Sequence, residues 1–312
     1  MLVVNPSASA VTAENRLAVE NALGGAHDVT VEETRRRCHA IELAKKAVAD
    51  GLDAVVVLGG DGTVNEAANG LAGSSTALGV LPGGSTNVFA RTVGMGRRPA
   101  AAAGRLCAAM AGGAPHRIGL GLANGRYFVF HVGMGFDAAV IEQVEQIERR
   151  LPMKRMLGQV VFAYCTVATW LCRYDRSQTR FTIHLDASAE AAEPIAATFA
   201  ICLNTNPYTF IGSRPLNVDP AATLDSPLSL AAFRNIGLAT MGAVLTRSLV
   251  GGSLDDIAAV HLHSGLHALT VEGPRPFSWQ LDGDLAGEGV SLALSYEPAC
   301  LDVFVPGDTT GR

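Results

Sequence analysis

The segment Gly59–Thr63 reads GGDGT and directly follows the apolar run Ala54–Leu58. Glycine has no Cβ, so it can adopt a positive φ and lets a ligand approach main-chain N–H groups closely, as we expect for Gly59, Gly60 and Gly62. A helix that starts behind such a turn adds unpaired N–H donors and partial positive charge, which suit a phosphate. An acid beside phosphates usually holds Mg²⁺ or accepts a proton, and we expect one of these roles for Asp61.

A second turn of the same kind lies further along the chain. The segment Leu78–Arg91 reads LGVLPGGSTNVFAR, in which a glycine pair is followed by hydroxyl and amide side chains: Gly83, Gly84, Ser85, Thr86 and Asn87. Parallel sheets bind ligands at the carboxyl ends of their strands, so two such turns at neighbouring strand ends could hold one polyphosphate. The segment Asn5–Ser7 ends the first apolar run and could supply a third edge. Ordinary glycine-rich turns between strands and helices remain the alternative.

The elements that would position these turns alternate between strand and helix over residues 1–115. Apolar runs such as MLVV, DAVVVLGG and ALGVLPGG are separated by segments with helical spacing, one of which should end at Gly51. Thr63 and Glu66 form the pattern T-x-x-E, a capping box that predicts a helix start behind the first turn. Strands rich in Val and Leu that alternate with helices predict a parallel sheet covered on both faces.

The sequence changes character after Pro115. Strand-like runs such as YFVFHVGMG, ATFAICLNT and VSLALSY are separated by Gly, Pro, Asn and Asp, and helical patterns are confined to residues 138–172 and 239–250. We therefore predict an α/β domain with a parallel sheet over residues 1–115 and a mostly antiparallel β-sandwich over residues 116–312. The C-terminal tail could return to the first domain.

Composition limits the classes of function. The chain has 312 residues, 48% of them hydrophobic and 17% charged, and its net charge is −5, so a nucleic-acid partner is not expected. Its six cysteines include no C-x-x-C pair, which predicts buried thiols of a reducing compartment. We see no secretory signal and no uncharged apolar run long enough for a transmembrane helix.

These segments resemble the catalytic domain of the diacylglycerol kinase and sphingosine kinase family, most closely its soluble bacterial lipid kinases. VVVLGGDGTVNEAANGL and GVLPGGSTNVFART carry the resemblance, which extends over most of the chain. NPSAS is similar to the family's opening turn, VEETRRRCHAIELA to its Thr and His-Ala segment, FVFHVGMGFDAAV to a strand of its second domain, and FSWQLDGDL to its Asp-Gly-Glu segment. GGDGT alone is shared with NAD kinases and phosphofructokinases, so the combination is the specific signal.

The resemblance implies an NAD-kinase-like and lipid-kinase-like α/β domain, a β-rich lipid-substrate domain and an active site in the cleft between them. It implies ATP, Mg²⁺ and phosphorylation of a lipid hydroxyl. Together with the turn residues Gly59, Gly83 and Gly84, the residues implied to line the nucleotide are Asn5, Thr34, Gly60, Gly62, Thr63, Ser85, Thr86 and Asn87. Asp61 would act at the phosphates or the metal. Asp284 stands where bacterial kinases have a glutamate proposed as general base, and Asp225 where they hold a second, structural Mg²⁺.

The sequence departs from the family pattern at four places. Ala8 stands where the family often has Gly, so this turn should be tighter or less suited to phosphate. Val88 replaces an Asp found in many members, so any binding role of that Asp is absent. Asp284 in place of Glu draws the carboxylate back by one methylene. Ser226–Pro227 in place of the usual Gly alters the segment expected to hold the second metal.

Other patterns were weighed against simpler interpretations. Arg35–Arg37 could contact nucleotide phosphates or form a solvated helix start. The apolar segment 153–176 fits a core helix, but it also fits a cover over an acyl-chain cleft or a membrane-facing surface. The segment GMGFDA (133–138) matches G-x-G-x-x-A, but an acid is missing at the expected spacing, so a dinucleotide site is disfavoured. A Walker phosphate-binding loop is absent from the sequence.

The leading prediction from the sequence is an ATP- and Mg²⁺-dependent kinase that phosphorylates diacylglycerol to phosphatidic acid. One alternative is an NAD-kinase-like enzyme or another kinase with a soluble hydroxyl acceptor. The other is a nucleotide-binding regulatory module that has lost activity. We expect a cytoplasmic protein that visits the inner membrane surface to meet its lipid substrate. The oligomeric state is left open, with a homodimer among the options.

Overall fold

The computed structural model describes residues 1–150, 179–186 and 193–307. The chain divides into two compact units, unit 1 (Met1–Ile118 with Pro298–Arg312) and unit 2 (Gly119–Glu297). Two sequence predictions therefore fall outside the described residues. They are the interpretations of the apolar segment 153–176 and the burial predicted for Cys165 and Cys172.

Unit 1 contains a parallel sheet. Its strands are β1 (Leu2–Val4), β2 (Val31–Glu33), β3 (Ala54–Gly59) and β4 (Ala77–Pro82), and its helices are α1 (Ala13–Gly24), α2 (His39–Ala49), α3 (Asp61–Leu71), α4 (Val88–Thr92) and α5 (Pro99–Ala111). The strand order is β2-β1-β3-β4, and every pair in it is parallel. After β4, Val303 near the C-terminus pairs with Leu78 in parallel.

Apolar sequence explains why β3 and β4 lie at the centre of this sheet. Every residue of both strands is buried, as expected for strands covered on both faces. Gly70 in α3 lets that helix approach α2 closely, because a Cβ there would lie 2.5 Å from the Cβ of Ala44. The parallel α/β fold predicted for the first part of the chain is confirmed.

Unit 2 is built mainly from antiparallel strands. They are β5 (His116–Ala123, which begins in unit 1), β6 (Arg126–Phe128), β7 (His131–Met134), β8 (Phe181–Leu185), β9 (Ile195–Ala197), β10 (Phe199–Leu203), β11 (Thr209–Ile211), β12 (Arg214–Leu216), β13 (Leu228–Phe233), β14 (Val260–Leu266), β15 (Ala268–Leu281) and β16 (Asp284–Val303, which ends in unit 1). Two helices, α6 (Phe136–Arg150) and α7 (Leu238–Val250), complete the described elements.

The main sheet of unit 2 runs in the order β14-β13-β10-β7-β15-β16, with antiparallel pairing throughout. Successive side chains of a strand point to opposite faces, and β10 shows the consequence. Ala200 and Cys202 belong to one apolar core, whereas Phe199 and Ile201 belong to another that includes residues of α6 and α7. Both faces of β10 are therefore buried, and the predicted antiparallel character of this part is confirmed.

The cysteines only partly follow the prediction of buried thiols. Cys202 and Cys300 are buried and Cys107 is half-buried, but Cys38, the residue before α2, is exposed. Among the described residues, none of the helices is both long enough and apolar enough to cross a membrane.

Candidate functional site

The two glycine turns of unit 1 pack directly against each other. Gly59 and Pro82 are paired at the ends of β3 and β4, and the Gly83 N–H donates to the Gly59 carbonyl at 2.7 Å. A Cβ added to Gly83 would lie 2.7 Å from the Gly59 nitrogen, and one added to Gly84 would lie 2.8 Å from the Gly60 Cα. Glycine is thus required at Gly83 and Gly84 because two backbones touch there.

The expected positive φ in the first turn is not observed. The glycines with positive φ in the described chain do not include Gly59, Gly60 or Gly62, and Gly60 has an extended conformation with φ −87° and ψ 178°. The prediction was wrong because Gly60 is the N-cap of α3, where extended backbone leads into the helix.

The predicted capping box at Thr63 and Glu66 was also wrong. Helix α3 starts at Asp61, two residues earlier, and its N-cap makes no side-chain capping bond. The Glu66 carboxylate instead accepts the N–H groups of Cys38 and Ala40 at 2.7 and 3.1 Å. Glu66 therefore satisfies the first turn of α2, where acceptors are needed because helical N–H groups lack partners.

The Asp61 carboxylate ties the first turn to the second. It accepts the N–H groups of Val88 and Phe89 at 3.0 and 3.1 Å, which begin helix α4. The pKa of the neighbouring Arg91 guanidinium is lowered by burial and by Arg97, and the charge of Asp61 opposes this shift. These two bonds fix the orientation of the Asp61 carboxylate at the junction of the two turns.

Asn87 shapes the second turn. It has a left-handed backbone with φ 52°, and its side-chain amide bonds both the N–H and the carbonyl of Gly84 at 2.7 Å. Asparagine tolerates this conformation better than most residues. Asn87 is buried, and it closes a loop whose other members are the exposed Ser85 and the half-buried Thr86.

The turn after β1 joins the same region. The Asn5 side-chain NH₂ donates to Thr63 Oγ1 at 2.9 Å, and the Asn5 Oδ1 accepts the Ser7 N–H at 3.0 Å. Ala8 closes the turn by donating its N–H to the Asn5 carbonyl at 3.0 Å. The Ala10 N–H then reaches the Gly83 carbonyl at 2.8 Å, so all three predicted edges are connected by hydrogen bonds.

A polar cavity of about 230 Å³ opens beside this junction. It is lined by hydroxyl, amide, carboxylate and guanidinium side chains: Asn5, Ser7, Thr34, Arg35, Arg36, Arg37, Thr63 and Glu66. Arg36 Nη2 donates to both carboxylate oxygens of Glu42, each at 2.7 Å. The structure thus brings Asn5, Thr34 and Thr63 together with the arginine run, which suits an anionic ligand. The loop Ser85–Asn87 is not part of this cavity's lining.

Within unit 2, the DGD segment forms a tight hairpin. Asp282 and Gly283 have φ values of 49° and 86° between β15 and β16, the geometry for which Asp-Gly is favoured. The buried Asp282 carboxylate accepts three backbone N–H groups, from Val129, Phe130 and His131, at 2.7 to 3.0 Å. Asp284 follows as the first residue of β16 and is half-buried.

Sequence reasoning missed a buried polar cluster next to this hairpin. The Asp137 carboxylate accepts bonds from the Tyr208 hydroxyl and from Gln280 Nε2, the latter at 2.6 Å. His131 Nε2 lies 4.0 Å from Asp137, and His131 Nδ1 has no hydrogen-bond partner among the described residues. The signal available in the sequence was GMGFDA, whose acid was considered only as part of a dinucleotide motif.

Burial shifts the protonation equilibria of this cluster. It lowers the pKa of His131 to about 3 and raises the pKa of Asp137, although hydrogen bonds from Tyr208 and Gln280 oppose the second shift. The pKa of Tyr208 is raised well above its ordinary value by burial and by the charge of Asp137. At neutral pH the imidazole of His131 is therefore uncharged.

Replacing His131 by glutamine should make the protein less sensitive to acid. In the folded protein the pKa of His131 is about 3, whereas in the unfolded chain this histidine has its ordinary pKa of 6.5. Between these two values only the unfolded chain binds the proton. Acid therefore favours unfolding of the wild type. When the pH is lowered from about 7.5 to about 5, the wild type should lose about 2 kcal/mol more of its free energy of unfolding than His131→Gln loses. Urea unfolding measures this, and a difference that does not vary with pH would contradict it.

Asp225 lies in an exposed turn. Thr223 and Ser226 close this turn through the bond from the Thr223 N–H to Ser226 Oγ at 2.8 Å, and the Asp225 N–H donates to Thr223 Oγ1 at 3.3 Å. Residues 1–150, 179–186 and 193–307 contain no group of three or more His, Cys, Asp or Glu side chains placed to hold a metal. The metal role of Asp225 stays a sequence-based prediction.

Comparison with known sequences gives a family match that covers the first segment of unit 1 and the first four residues of unit 2. Residues 1–122 match the family described as "Diacylglycerol kinase catalytic domain". A protein named "Diacylglycerol kinase" from Bacillus subtilis (strain 168) is 36% identical over 125 residues, 39% of this chain and 39% of that protein. A protein named "Probable lipid kinase YegS-like" from Pseudomonas aeruginosa (strain UCBPP-PA14) is 26% identical over 311 residues, 98% of this chain and 94% of that protein.

Solved structures show the same fold. A diacylglycerol kinase from Bacillus anthracis str. Sterne superposes with a TM-score of 0.73 at 17% identity and covers 99% of this chain and 97% of that one. An NAD kinase from Archaeoglobus fulgidus in complex with ATP superposes with a TM-score of 0.54 at 11% identity, over 99% of this chain and 94% of that one.

Proposed function

We propose that the chain is a member of the diacylglycerol kinase catalytic-domain family, whose model matches residues 1–122, and that it transfers the γ-phosphoryl group of ATP to a lipid hydroxyl. Diacylglycerol is the acceptor that we propose, with phosphatidic acid as the product. The observation that carries the proposal is the arginine-lined cavity beside the joined turns of unit 1. A triphosphate needs such a set of cationic and neutral donors, because phosphoryl transfer depends mainly on positioning and charge neutralisation.

Two groups of residues in unit 1 would hold the nucleotide. Asn5, Thr34 and Thr63 offer amide and hydroxyl groups inside the cavity, and the arginines beside Thr34 offer positive charge to phosphate oxygens. The second turn, Gly83–Asn87, is held rigidly by the Gly84 and Asn87 bonds. Its exposed Ser85 is available to the nucleotide, and rigidity reduces the entropy lost when the ligand binds.

Asp61 is the residue that we propose for the magnesium ion. Its bonds from the Val88 and Phe89 N–H groups fix the carboxylate, and a carboxylate suits Mg²⁺, which usually takes one or two carboxylates together with phosphate oxygens and water. When bound, Mg²⁺ would neutralise charge on the phosphates. The chain's own contribution is to hold Asp61 in place and to keep its orientation constant.

Asp284 is the residue that we propose to take the proton from the acceptor hydroxyl. The neighbouring Asp282 is a poor candidate, because three backbone N–H groups occupy its carboxylate and it is 3% exposed. Asp284 is half-buried at the start of β16, so part of the residue is exposed to solvent. A positioned general base typically contributes about 10²- to 10⁴-fold to the rate.

The alternatives have weaker support. A soluble-acceptor kinase rests on the likeness to the NAD kinase, which has a lower TM-score than the diacylglycerol kinase structure. An inactive regulatory module would rest on Val88 and Ser226–Pro227, yet the Val88 N–H takes part in fixing Asp61. We further propose a cytoplasmic location with transient contact at the inner membrane surface, because the acceptor lies in a bilayer.

Radiolabel transfer tests the proposal. The full chain is incubated with γ-labelled ATP, Mg²⁺ and one of three acceptors: diacylglycerol in mixed micelles, a total bacterial lipid extract, or NAD in solution. We expect label in the lipid phase, with phosphatidic acid identified by mass spectrometry. Label on NAD would support the soluble-acceptor alternative. ATP binding without label on any acceptor would support the regulatory alternative.

A further inference from the structure

A continuous chain of buried and partly buried hydrogen bonds leads to Gly283, the residue before Asp284. It starts at the Tyr208 hydroxyl, which donates to Asp137, and passes to Gln280, whose Nε2 donates to Asp137 Oδ2 at 2.6 Å. The Gln280 Oε1 then accepts the Gly283 N–H at 2.7 Å. Both ends of the Gln280 amide are therefore occupied, which fixes its orientation.

Gly133 provides the space that this chain needs. It is paired with Gln280 across β7 and β15. A Cβ at Gly133 would lie 1.7 Å from Asp137 Oδ2 and 2.6 Å from Gln280 Nε2, so any side chain would occupy the place of that bond. The next glycine, Gly135, has φ +79° and turns the chain from β7 into α6, which places Asp137 in the first turn of the helix. These contacts account for the glycines and the acid of GMGFDA.

The hairpin that carries Asp284 is attached on two sides. Asp282 is held by its three N–H donors and by its own N–H bond to the His131 carbonyl at 3.0 Å. Gly283 is held by Gln280. A glycine backbone is intrinsically flexible, so the Gln280 bond supplies a constraint that the sequence Asp-Gly does not. This bond acts together with the pairing of Leu281 with Asp284, at the point where the chain leaves the turn.

We propose that Asp137 and Gln280 are positioning residues for Asp284. They hold the Gly283 peptide so that the Asp284 carboxylate meets the acceptor hydroxyl in a fixed orientation. This inference rests on the proposed function, in which Asp284 accepts the proton. Loss of the positioning should lower kcat and leave the KM for ATP unchanged. The reason is that the hydrogen-bond chain ends beside the proposed proton acceptor, and its members are not among the residues of unit 1 proposed to bind the nucleotide.

Gln280→Leu removes both bonds of the amide at similar size. We expect kcat to fall about 10²-fold, which is the cost of a misplacement of the order of 1 Å. Asp137→Leu should have a similar effect. Asp137→Asn should recover much of that loss, because an asparagine can accept from Gln280 and donate to the Tyr208 oxygen. The matched control is Thr198→Val, which removes a buried hydroxyl bond to the Arg234 carbonyl in the same unit. We expect Thr198→Val to leave kcat unchanged.

A double-mutant cycle separates positioning from general destabilisation. In an Asp284→Asn background, Gln280→Leu should cause no further loss of kcat, since the residue it positions is already inactive. An equal loss in both backgrounds, or full activity of Gln280→Leu with Asp284→Asn inactive, would overturn the inference and leave the proposed function standing. If Gln280→Leu fails to fold, Tyr208→Phe removes the hydroxyl at the other end of the hydrogen-bond chain. We expect it to lower kcat by less than Gln280→Leu would.

Hydrogen exchange gives a readout that does not need activity. The Gly283 amide should be protected in the wild type and in Thr198→Val, and should exchange at least about tenfold faster in Gln280→Leu. Unchanged protection would overturn the inference. If the wild type transfers no phosphoryl group to lipid, the proposed function fails, and the Gly283 amide still decides whether Gln280 holds the turn.

Discussion

Replacing Asp61 by alanine should abolish phosphoryl transfer and also weaken the fold of unit 1. The variant removes the carboxylate proposed for Mg²⁺ and leaves the N–H groups of Val88 and Phe89 without their acceptor. Loss of a helix-capping acceptor costs about 1 kcal/mol, and loss of charge stabilisation at the phosphates should cost roughly 10³-fold or more in kcat. Turnover with γ-labelled ATP and urea unfolding measure the two effects separately.

Asp61→Asn distinguishes the two roles of this side chain. Asparagine loses the negative charge and keeps one acceptor oxygen, which serves one of the two N–H groups that the separate Asp61 oxygens accept. We expect it to lose no more stability than Asp61→Ala and to be still inactive. Asp28→Asn, at an exposed acid of the same unit, is the matched control for loss of one charge. If Asp61→Asn retained more than about a tenth of the wild-type kcat, Asp61 would be a structural cap rather than a metal ligand.

Replacing Asp284 by asparagine should lower kcat by about 10²- to 10⁴-fold, the range for loss of a general base. The KM for ATP should not change, because the residues proposed for the nucleotide lie elsewhere in the sequence. Asn is close to Asp in size and Asp284 is half-buried, so the fold should persist. The measurement is steady-state transfer to diacylglycerol in mixed micelles.

Two further variants sharpen the assignment of Asp284. Asp284→Glu restores the longer carboxylate of the bacterial kinases and should retain activity that the asparagine variant lacks. Glu288→Gln removes an exposed carboxylate further along β16 and serves as the control. A kcat for Asp284→Asn equal to that of Glu288→Gln would refute the proposed proton transfer. It would also remove the basis for the positioning role of Gln280.

Local sequence patterns predicted the elements of this protein well. The apolar runs over residues 54–59 and 77–82 became the buried central strands β3 and β4, because continuous burial demands continuous apolar sequence. The antiparallel second part followed from short strands separated by turn residues, and Asp282–Gly283 is such a turn. These features depend on neighbours within a few residues, which is the range that a sequence pattern encodes.

The hydrogen-bond partners of the polar side chains could not be predicted from local sequence patterns. Glu66 was expected to cap its own helix but binds the start of α2, 28 residues earlier at Cys38. Asp61 was expected to face only a ligand but also binds Val88, 27 residues later. Gly83 and Gly84 were expected to expose backbone to a phosphate, whereas close contact with the first turn is what demands glycine there.

What the sequence by itself determined is the order of strands and helices, the placing of both turns at strand ends and the acids that stand in them. Only the tertiary structure decided which backbone each acid holds, and that Asp137 meets Gln280 across 143 residues of sequence. The physical reason is that a hydrogen bond needs its partners within about 3 Å, and for partners far apart in the chain only the packing of the elements sets that distance.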